Sequence, residues 1–292
     1  MKQNILCLGE VLWDTFGDEK VAGGATMNVA FHLAQQGASV SFASSVGTDA
    51  SGNELVGFLK DNDLFSDLIQ RDETLPTCEV TVQLDEHQQA TYIIPQPVSW
   101  DNIKPKAALS KCAKSARAIV FGSLVCRDTT TRNTLLNLLN DTTALKVFDV
   151  NLRAPHYTSQ TIETLAAHAN VVKMNEEEAD LLINDKKGNL KEKITEFRKK
   201  YHAQTICVTR GAHGVMVWHD HEFYEHPGFE VKVADTVGAG DSFLATFIVG
   251  LLNQLPMQQV LERACAVGAY VATKRGATPK YVDGIVDLMA GR

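Results

Sequence analysis

Short apolar segments alternate with amphipathic helical segments along most of this sequence, and that alternation limits the possible folds more than any other feature. Six segments are short, apolar and rich in β-branched residues, which predicts buried strands at 5–8, 39–43, 118–121, 146–150, 170–174 and 205–209. Helical periodicity predicts helices between them at 28–36, 52–61, 130–140, 160–168, 176–183 and 190–201. Because strands and helices in turn build right-handed βαβ units, we predict an α/β fold with a mostly parallel central sheet and helices on both faces.

One region near the N-terminus breaks this alternation. Residues 78–95 predict a hairpin around the polar turn at 85–87, because Val80, Val82 and Leu84 alternate with polar residues and leave only one face apolar. Residues 11–21 can add to the same small antiparallel sheet. A flap inserted near the start of an α/β domain is typical of a lid, although a surface hairpin with no moving role would give the same pattern.

The C-terminal third contains a second hairpin, at 215–218 and 222–226, followed by two long helices at 240–253 and 257–274. No repeat, low-complexity stretch or linker divides the chain. We therefore predict a single domain over residues 1–292, with a small β lid formed by about 10–22 and 76–98.

Composition and charge exclude several classes of function. The 292 residues carry a formal net charge of −7, so long polyanions such as nucleic acids are poor partners, while small anions can still bind local backbone amides. The six cysteines are scattered without metal-ligand spacing, which predicts reduced thiols. No apolar run is long enough to cross a membrane, and Glu10 and Asp14 interrupt the first apolar stretch too soon for a signal peptide. We expect a cytoplasmic protein with no nucleic-acid or membrane partner.

The segment Gly238-Ala239-Gly240-Asp241 precedes an apolar run at helical spacing, 243–252. Two glycines separated by an alanine leave the backbone amides unshielded, and a helix N-terminus offers an anion unpaired N–H donors and the positive end of the helix dipole. Asp241 alone could be a helix cap or a first-turn acid. An anion repels a neighbouring carboxylate, however, so a carboxylate in this position indicates a function, such as accepting a proton from an attacking hydroxyl. Phosphoryl transfer needs both donors that stabilise charge on the phosphoryl oxygens and a base that orients the nucleophile.

Neither common nucleotide-binding loop is present. The sequence contains no GxxxxGK[ST], and the GxG at 238–240 lacks its third glycine because position 243 is Phe243. A dinucleotide-dependent dehydrogenase is therefore a poor fit.

Two motifs resemble those of a known family. Residues 235–245 resemble the C-terminal signature of the ribokinase-like (PfkB) carbohydrate kinases, and residues 23–30 resemble their N-terminal signature, with Gly37 and Gly47 at the family's spacing. Two such motifs in the right order are far more specific than GAGD alone, and the resemblance implies a ribokinase-like fold over the whole chain. Thr26 replaces a more common proline, which we expect to loosen the loop slightly, and Thr246 replaces a smaller residue with little expected effect.

The resemblance implies a site for phosphorylating a sugar. Asp241 resembles the general base, and the backbone amides of Gly238, Ala239 and Gly240 resemble the anion hole for the transferred phosphoryl group. The implied substrate-binding residues are Asp14, Gly23, Gly24, Asn28 and Arg153. A short carboxylate such as Asp14 can accept two hydrogen bonds from sugar hydroxyls in fixed geometry. Outside the family, Asn28 would be a plain helix cap, and Arg153 could pair equally with a phosphate or with Asp149.

The resemblance also implies ATP and Mg²⁺ as cofactors. The implied nucleotide-binding residues are Asn175, Thr209, Gly211 and Gly214, and Glu178 resembles the glutamate of an NxxE motif that orders Mg²⁺ through water. Considered apart from the resemblance, the glutamates at 176–178 would be acids in the first turn of a helix, on a solvated face. The residues at 209–214 would be a glycine-rich loop leading into a hairpin.

A monovalent-cation site is implied at Asp235 and Val237, together with the loop 274–280. Lys280 stands where potassium-dependent relatives usually place a small hydroxyl residue. Its ammonium would either replace K⁺ or point to solvent, so the sequence leaves potassium dependence open.

We expect an ATP-dependent sugar kinase, and the residues at 9–14 and Ile93-Ile94 resemble fructokinases most. Ribose, 2-keto-3-deoxygluconate and nucleosides are alternative substrates, with Arg153 as the obvious partner for a sugar acid. A non-catalytic sugar- or nucleotide-binding regulator on the same fold is another alternative, which the intact Asp241 disfavours. The apolar face at 78–95 fits either a homodimer through the lid or a cover over the sugar.

Overall fold

The six apolar, β-branched segments that the sequence predicts as strands all form strands of the protein. The computed structural model describes residues 4–17, 19–84, 90–183 and 188–285. Within them the strands are β1 (Asn4–Leu8), β2 (Leu12–Phe16), β3 (Glu19–Gly23), β4 (Ser39–Gly47), β5 (Ile69–Asp72), β6 (Glu79–Leu84), β7 (Ala90–Ile93), β8 (Ala118–Gly122), β9 (Leu145–Asp149), β10 (Val171–Asn175), β11 (Thr205–Thr209), β12 (Val215–His219) and β13 (Glu222–His226).

The main sheet has nine of these strands in the order β13-β12-β11-β10-β9-β8-β1-β4-β5. All pairs from β5 to β11 are parallel, and β12 and β13 extend the sheet by antiparallel pairing. The predicted mostly parallel sheet is confirmed. Because the carboxyl ends of the parallel strands meet at one edge, the loops that follow β1, β9, β10 and β11 lie near one another.

A smaller sheet has the strand order β3-β2-β6-β7. β2 pairs with β3 and β6 pairs with β7 in antiparallel fashion, and the two hairpins meet through a parallel pairing of β2 with β6. Residues 11–21 therefore do join the hairpin at 78–95, whose predicted turn at 85–87 lies outside the described residues. The Trp13 indole anchors this sheet by donating a hydrogen bond to the Ser51 carbonyl at 3.1 Å.

The described helices are α1 (Ala25–Gln35), α2 (Ala50–Asp61), α3 (Ala107–Ser115), α4 (Thr129–Asn140), α5 (Ser159–His168), α6 (Glu176–Leu182), α7 (Leu190–Tyr201), α8 (Ala239–Leu252) and α9 (Met257–Ala272). They cover both faces of the main sheet. Apolar side chains of α1, α2, α8 and α9 form one buried cluster, and those of α3 to α7 form another on the opposite face. The two clusters supply the apolar burial that stabilises the sheet.

The start of α1 differs from its prediction. The helix begins at Ala25, three residues before the predicted start, with Gly24 as its N-cap at φ +117°. A side chain on Gly24 would also approach the Glu10 carbonyl oxygen to 2.5 Å, so the position requires glycine. The interpretation of Asn28 as a helix cap is therefore wrong, because Asn28 is the fourth residue of the helix.

No helix among the described residues is both long enough and apolar enough to span a membrane. All six cysteines are free thiols, and five of them are buried. Burial raises the pKa of Cys7 and Cys207 well above the ordinary value, so both remain protonated and unreactive.

Candidate functional site

Gly238 begins the helix that carries the predicted anion hole. It is the N-cap of α8, at φ +80°, and a Cβ in its place would lie 2.3 Å from the Ala277 carbonyl oxygen. Only glycine fits that conformation and that space. The Ala239 amide donates a long, 3.3 Å hydrogen bond to the Thr236 carbonyl. The amides of Gly240 and Asp241, which follow it in the first turn, have no carbonyl one turn earlier in the helix to donate to, so they are available to an anion.

Asp241 lies in this first turn, with its carboxylate facing α1. Its Oδ2 accepts a hydrogen bond from Asn28 Nδ2 at 2.8 Å. Burial, followed by the nearby charge of Asp149, raises the pKa of Asp241 to about 6, against the opposing effects of Lys173, Asn28 and Arg153. A carboxylate with this pKa is ionised near neutral pH and is basic enough to share a proton in a transition state.

Asn28 connects the predicted base to the predicted sugar pocket. Its amide nitrogen is used by Asp241, whereas Oδ1 is buried and accepts no hydrogen bond from the residues that the structure describes. A buried amide oxygen without a donor is costly unless a ligand supplies one. A hydroxyl group is a suitable donor, so the position fits its predicted role.

Asp14 and Gly23 are diagonal neighbours on the β2–β3 hairpin. A Cβ on Gly23 would lie 2.4 Å from Asp14 Oδ2, so this glycine leaves room for the carboxylate. Burial raises the pKa of Asp14 to about 6, and the positive charge of Arg153 opposes that increase. Because Arg153 also lowers the pKa of Asp241, its guanidinium lies within electrostatic reach of both predicted sugar-site carboxylates.

Arg153 does not make the predicted alternative ion pair. Its side chain is exposed and donates to the Leu152 carbonyl at 3.1 Å, whereas Asp149 Oδ1 accepts from Lys173 Nζ at 3.1 Å. Asp149 lies in the main sheet at the end of β9 and is buried, which favours the neighbouring lysine over an arginine in the following loop.

Lys173 is the residue of this site that the sequence did not reveal. It lies on β10 and is buried, and its Nζ would be 3.3 Å from a Cβ placed on Gly240. Its ammonium therefore packs against the first turn of α8, below the predicted anion hole. The available signal was a lysine inside an apolar strand, Val171–Asn175, where an unpaired charge would be expensive.

Asn175 and Glu178 form a reciprocal cap on α6. Asn175 Oδ1 accepts from the Glu178 amide, and Glu178 Oε2 accepts from the Asn175 amide, each at 2.8 Å. Glu178 Oε1 also accepts from the Leu152 amide at 2.7 Å, which ties the loop after β9 to α6. Unlike Glu176 and Glu177, Glu178 is buried, so the solvated-face interpretation does not apply to it.

The loop at 209–214 follows β11 at the same edge of the sheet. Thr209 Oγ1 donates to the Met174 carbonyl at 3.5 Å. Gly214 has φ +77°, and a Cβ there would collide with the His226 carbonyl at 1.9 Å. The hairpin between β12 and β13 therefore requires this glycine, whether or not the loop binds a nucleotide.

Asp235 joins the two loops of the predicted cation site. Its Oδ1 accepts from the Val237 amide and its Oδ2 from the Gly276 amide, both at 3.0 Å. The adjacent Ala277 carbonyl contacts His32 Nε2 at 2.9 Å. Lys280 is exposed, and its carbonyl accepts from the Tyr270 hydroxyl at 2.9 Å. An exposed ammonium fits the alternative in which Lys280 points to solvent.

Comparison with known proteins gives a consistent result. The sequence model of the pfkB family carbohydrate kinases matches residues 3–283. Fructokinase-2 of Solanum habrochaites is 27% identical over 289 residues, covering 93% of this chain and 87% of that protein. A putative sugar kinase of Pyrococcus horikoshii is 28% identical over 302 residues, covering 94% and 93%. The crystal structure of a fructokinase with bound ATP from Xylella fastidiosa superimposes with a TM-score of 0.87 at 25% identity, covering 100% of this chain and 99% of that one.

Proposed function

The chain belongs to the pfkB family of carbohydrate kinases, and from that premise we propose that it transfers the γ-phosphoryl group of ATP to a hydroxyl group of fructose. The observation that carries the proposal is Asp241, a half-buried carboxylate in the first turn of α8 that accepts a hydrogen bond from Asn28 and has a raised pKa. A base beside a set of helix N-terminal amides is the arrangement that phosphoryl transfer to an alcohol requires.

In the proposed reaction the sugar hydroxyl attacks the γ-phosphorus of ATP while Asp241 accepts its proton, and the bond from the γ-phosphorus to the bridging oxygen breaks to release ADP. Asn28 Oδ1 and the Asp14 carboxylate accept hydrogen bonds from other sugar hydroxyls and fix the orientation of the ring. The amides at the start of α8 stabilise the charge that develops on the phosphoryl oxygens. Asp241 and Asn28 are held by their mutual hydrogen bond and the amides by the N-terminus of α8, so these groups need little reorganisation at the moment of transfer.

ATP is proposed as the phosphoryl donor because the structurally similar Xylella fastidiosa fructokinase is described with bound ATP. We place its phosphates beside Asn175, Thr209, Gly211 and Gly214, at the carboxyl edge of the sheet.

Mg²⁺ would neutralise phosphate charge in this site. Both oxygens of Glu178 already accept backbone amides, yet each carboxylate oxygen retains a second lone pair for water. Because Mg²⁺ usually keeps several of its waters, a buried glutamate of this kind fits an indirect, water-mediated role.

Fructose is favoured over the alternatives by the relatives whose names carry that activity, among them the Solanum habrochaites protein at 27% identity. The exposed Arg153 is the feature that favours a different substrate. Its guanidinium acts on both Asp14 and Asp241, and a sugar acid would place a carboxylate within its reach. 2-Keto-3-deoxygluconate is therefore the second candidate, and ribose or a nucleoside would use the same base without this contact.

Among the described side chains of the small sheet, Phe16, Val21 and Tyr92 lie on the same face as Asp14, and each is more than 40% exposed. Ile93 is also exposed but lies on the opposite face, because successive side chains of a strand alternate. An apolar face of this kind is typical of a surface that contacts a ligand or a second protein. We propose that it covers the sugar or joins two copies of the chain, as predicted for the lid.

The activity is tested by a coupled ADP-release assay with fructose, ribose, 2-keto-3-deoxygluconate and adenosine, using a reaction without acceptor as the control. We expect the highest kcat/KM with fructose. A higher value with 2-keto-3-deoxygluconate would replace fructose by a sugar acid, and no turnover with any acceptor would favour the regulator. Repeating the assay in potassium chloride and in tetramethylammonium chloride measures the dependence on K⁺.

A further inference from the structure

A buried ion pair lies below the predicted anion hole and has no role in the reaction described so far. The side chains of Lys173 and Asp149 are 9% and 6% exposed, and their charged atoms are 3.1 Å apart. Glu178 approaches Lys173 from α6 and Asp241 approaches it from α8, close enough for their charges to favour the ammonium form. The Lys173 ammonium therefore interacts with the carboxylates of Asp149, Glu178 and Asp241, which belong to three different elements.

This cluster is not explained by stability. Burying an ion pair removes both charges from water, and a well-packed apolar pair of similar volume is often equally stable. The cost is larger with two further carboxylates nearby, since like charges destabilise one another in a site of low dielectric constant. A strand as apolar as β10 would accept an aliphatic residue at position 173.

The position of the cluster indicates its use. Lys173 Nζ would be 3.3 Å from a Cβ on Gly240, the residue directly before Asp241. Asp149 lies on the neighbouring strand, and its charge also acts on Asp241. The ion pair therefore lies under the turn that holds both the base and the amides of the anion hole.

We propose that Lys173 and Asp149 are positioning residues that act on Asp241 in opposite directions, the ammonium favouring its ionised form and the carboxylate opposing it. This inference rests on the proposed function only for its effect on turnover. The balance between the two charges sets the pH range in which Asp241 can accept a proton.

The other groups around this cluster do not duplicate the effect. Asn28 faces Asp241 from α1 as a neutral donor, and Arg153 acts on it from an exposed position in the loop after β9, where water screens its charge. Cys207 faces Lys173 from β11, but burial raises its pKa far above neutrality and it carries no charge. Lys173 and Asp149 are therefore the two buried charges whose removal should change the protonation of Asp241 most.

The test compares K173M, D149N and the double variant with the wild-type protein. The titration of Asp241 is followed by ¹³C carboxyl NMR without substrates, and its signal is assigned by its absence in D241N. The acidic limb of the pH dependence of kcat is measured with fructose. We expect K173M to raise the apparent pKa by about one unit and D149N to lower it by a similar amount. The double variant should return to within about half a unit of wild type. K173R keeps the positive charge, so it should leave the acidic limb of the pH dependence of kcat at the same pH as in the wild type.

Opposite shifts separate this inference from a structural role, because loss of packing alone would not move the titration up in one variant and down in the other. If K173M does not fold because Asp149 is left unpaired, D149N and the double variant still show in which direction each charge shifts the pKa of Asp241. Unchanged titrations, or shifts in the same direction, would overturn the inference. Absence of turnover in the wild type would instead contradict the proposed function, and the NMR titrations would still test the ion pair.

Discussion

D241N is expected to lower kcat by about 10²- to 10⁴-fold with fructose, while KM changes much less. The substitution keeps the size of the side chain and an oxygen that can accept the 2.8 Å hydrogen bond from Asn28, but it removes the group that accepts the proton. The expected loss corresponds to about 3–5 kcal/mol of transition-state stabilisation. The measurement is steady-state ADP release at saturating ATP, and turnover close to wild type would refute Asp241 as the base.

The stability of D241N provides the control for this experiment. Burial raises the pKa of Asp241 from 3.8 to about 6, so the folded protein binds this proton more tightly than the unfolded chain does. The resulting destabilisation develops as the pH rises through that interval and is complete above it. D241N should therefore unfold at the same or a higher temperature than wild type at pH 7, with no such gain at pH 3.5. A large decrease at pH 7 would mean that lost activity reflects lost folding.

The sequence predicts the central sheet well because its parallel strands are buried on both faces. Their apolar, β-branched runs stand out against the polar loops, and β11 has the predicted bounds, 205–209. β5 and α3 were not predicted, for the opposite reason. β5 is four residues long with a single aliphatic side chain, and α3 is short and buries only Leu109 and Ala113.

The candidate site was predicted where one short motif carries the geometry, as in the turn from Gly238 to Asp241. What the sequence did not predict are the contacts between residues far apart in the chain. Asn28 and Asp241 are 213 positions apart, and nothing in either segment indicates their hydrogen bond. Lys173 meets Asp149 across adjacent strands and Gly240 across the face of the sheet, so its role depends on the assembled fold.

Glu178 illustrates the limit of local reasoning. Three consecutive glutamates at a helix start look equivalent in the sequence, and the helix dipole favours all three. The structure distinguishes them because only Glu178 points into the protein, where it caps α6 and holds the Leu152 amide. The loop after β9, which carries Arg153, is thereby fixed to the same helix start as the proposed phosphate-binding residues.

G238A is expected to lower kcat by about 10²- to 10³-fold, comparable with the loss of an oxyanion-hole donor in other enzymes. The backbone at position 238 has φ +80°, and the added methyl group would lie 2.3 Å from the Ala277 carbonyl oxygen and 2.5 Å from the Ala277 Cα. The clash is with backbone atoms, which cannot rotate away, so the N-cap of α8 must shift and move the first-turn amides with it. The measurement is kcat and KM with fructose and ATP, together with the unfolding temperature.

G37A is the matched control for this substitution, because it separates the collision from the backbone strain. Gly37 has φ +78°, almost the same as Gly238, but nothing lies within 4 Å of a Cβ placed there. Both variants should lose about 1–3 kcal/mol of stability, since both force a non-glycine residue into the left-handed region. Only G238A should also lose turnover, because only there does the new methyl group displace the helix start that carries Asp241. Equal activity of the two variants would show that the amides at the start of α8 do not stabilise the transferred phosphoryl group.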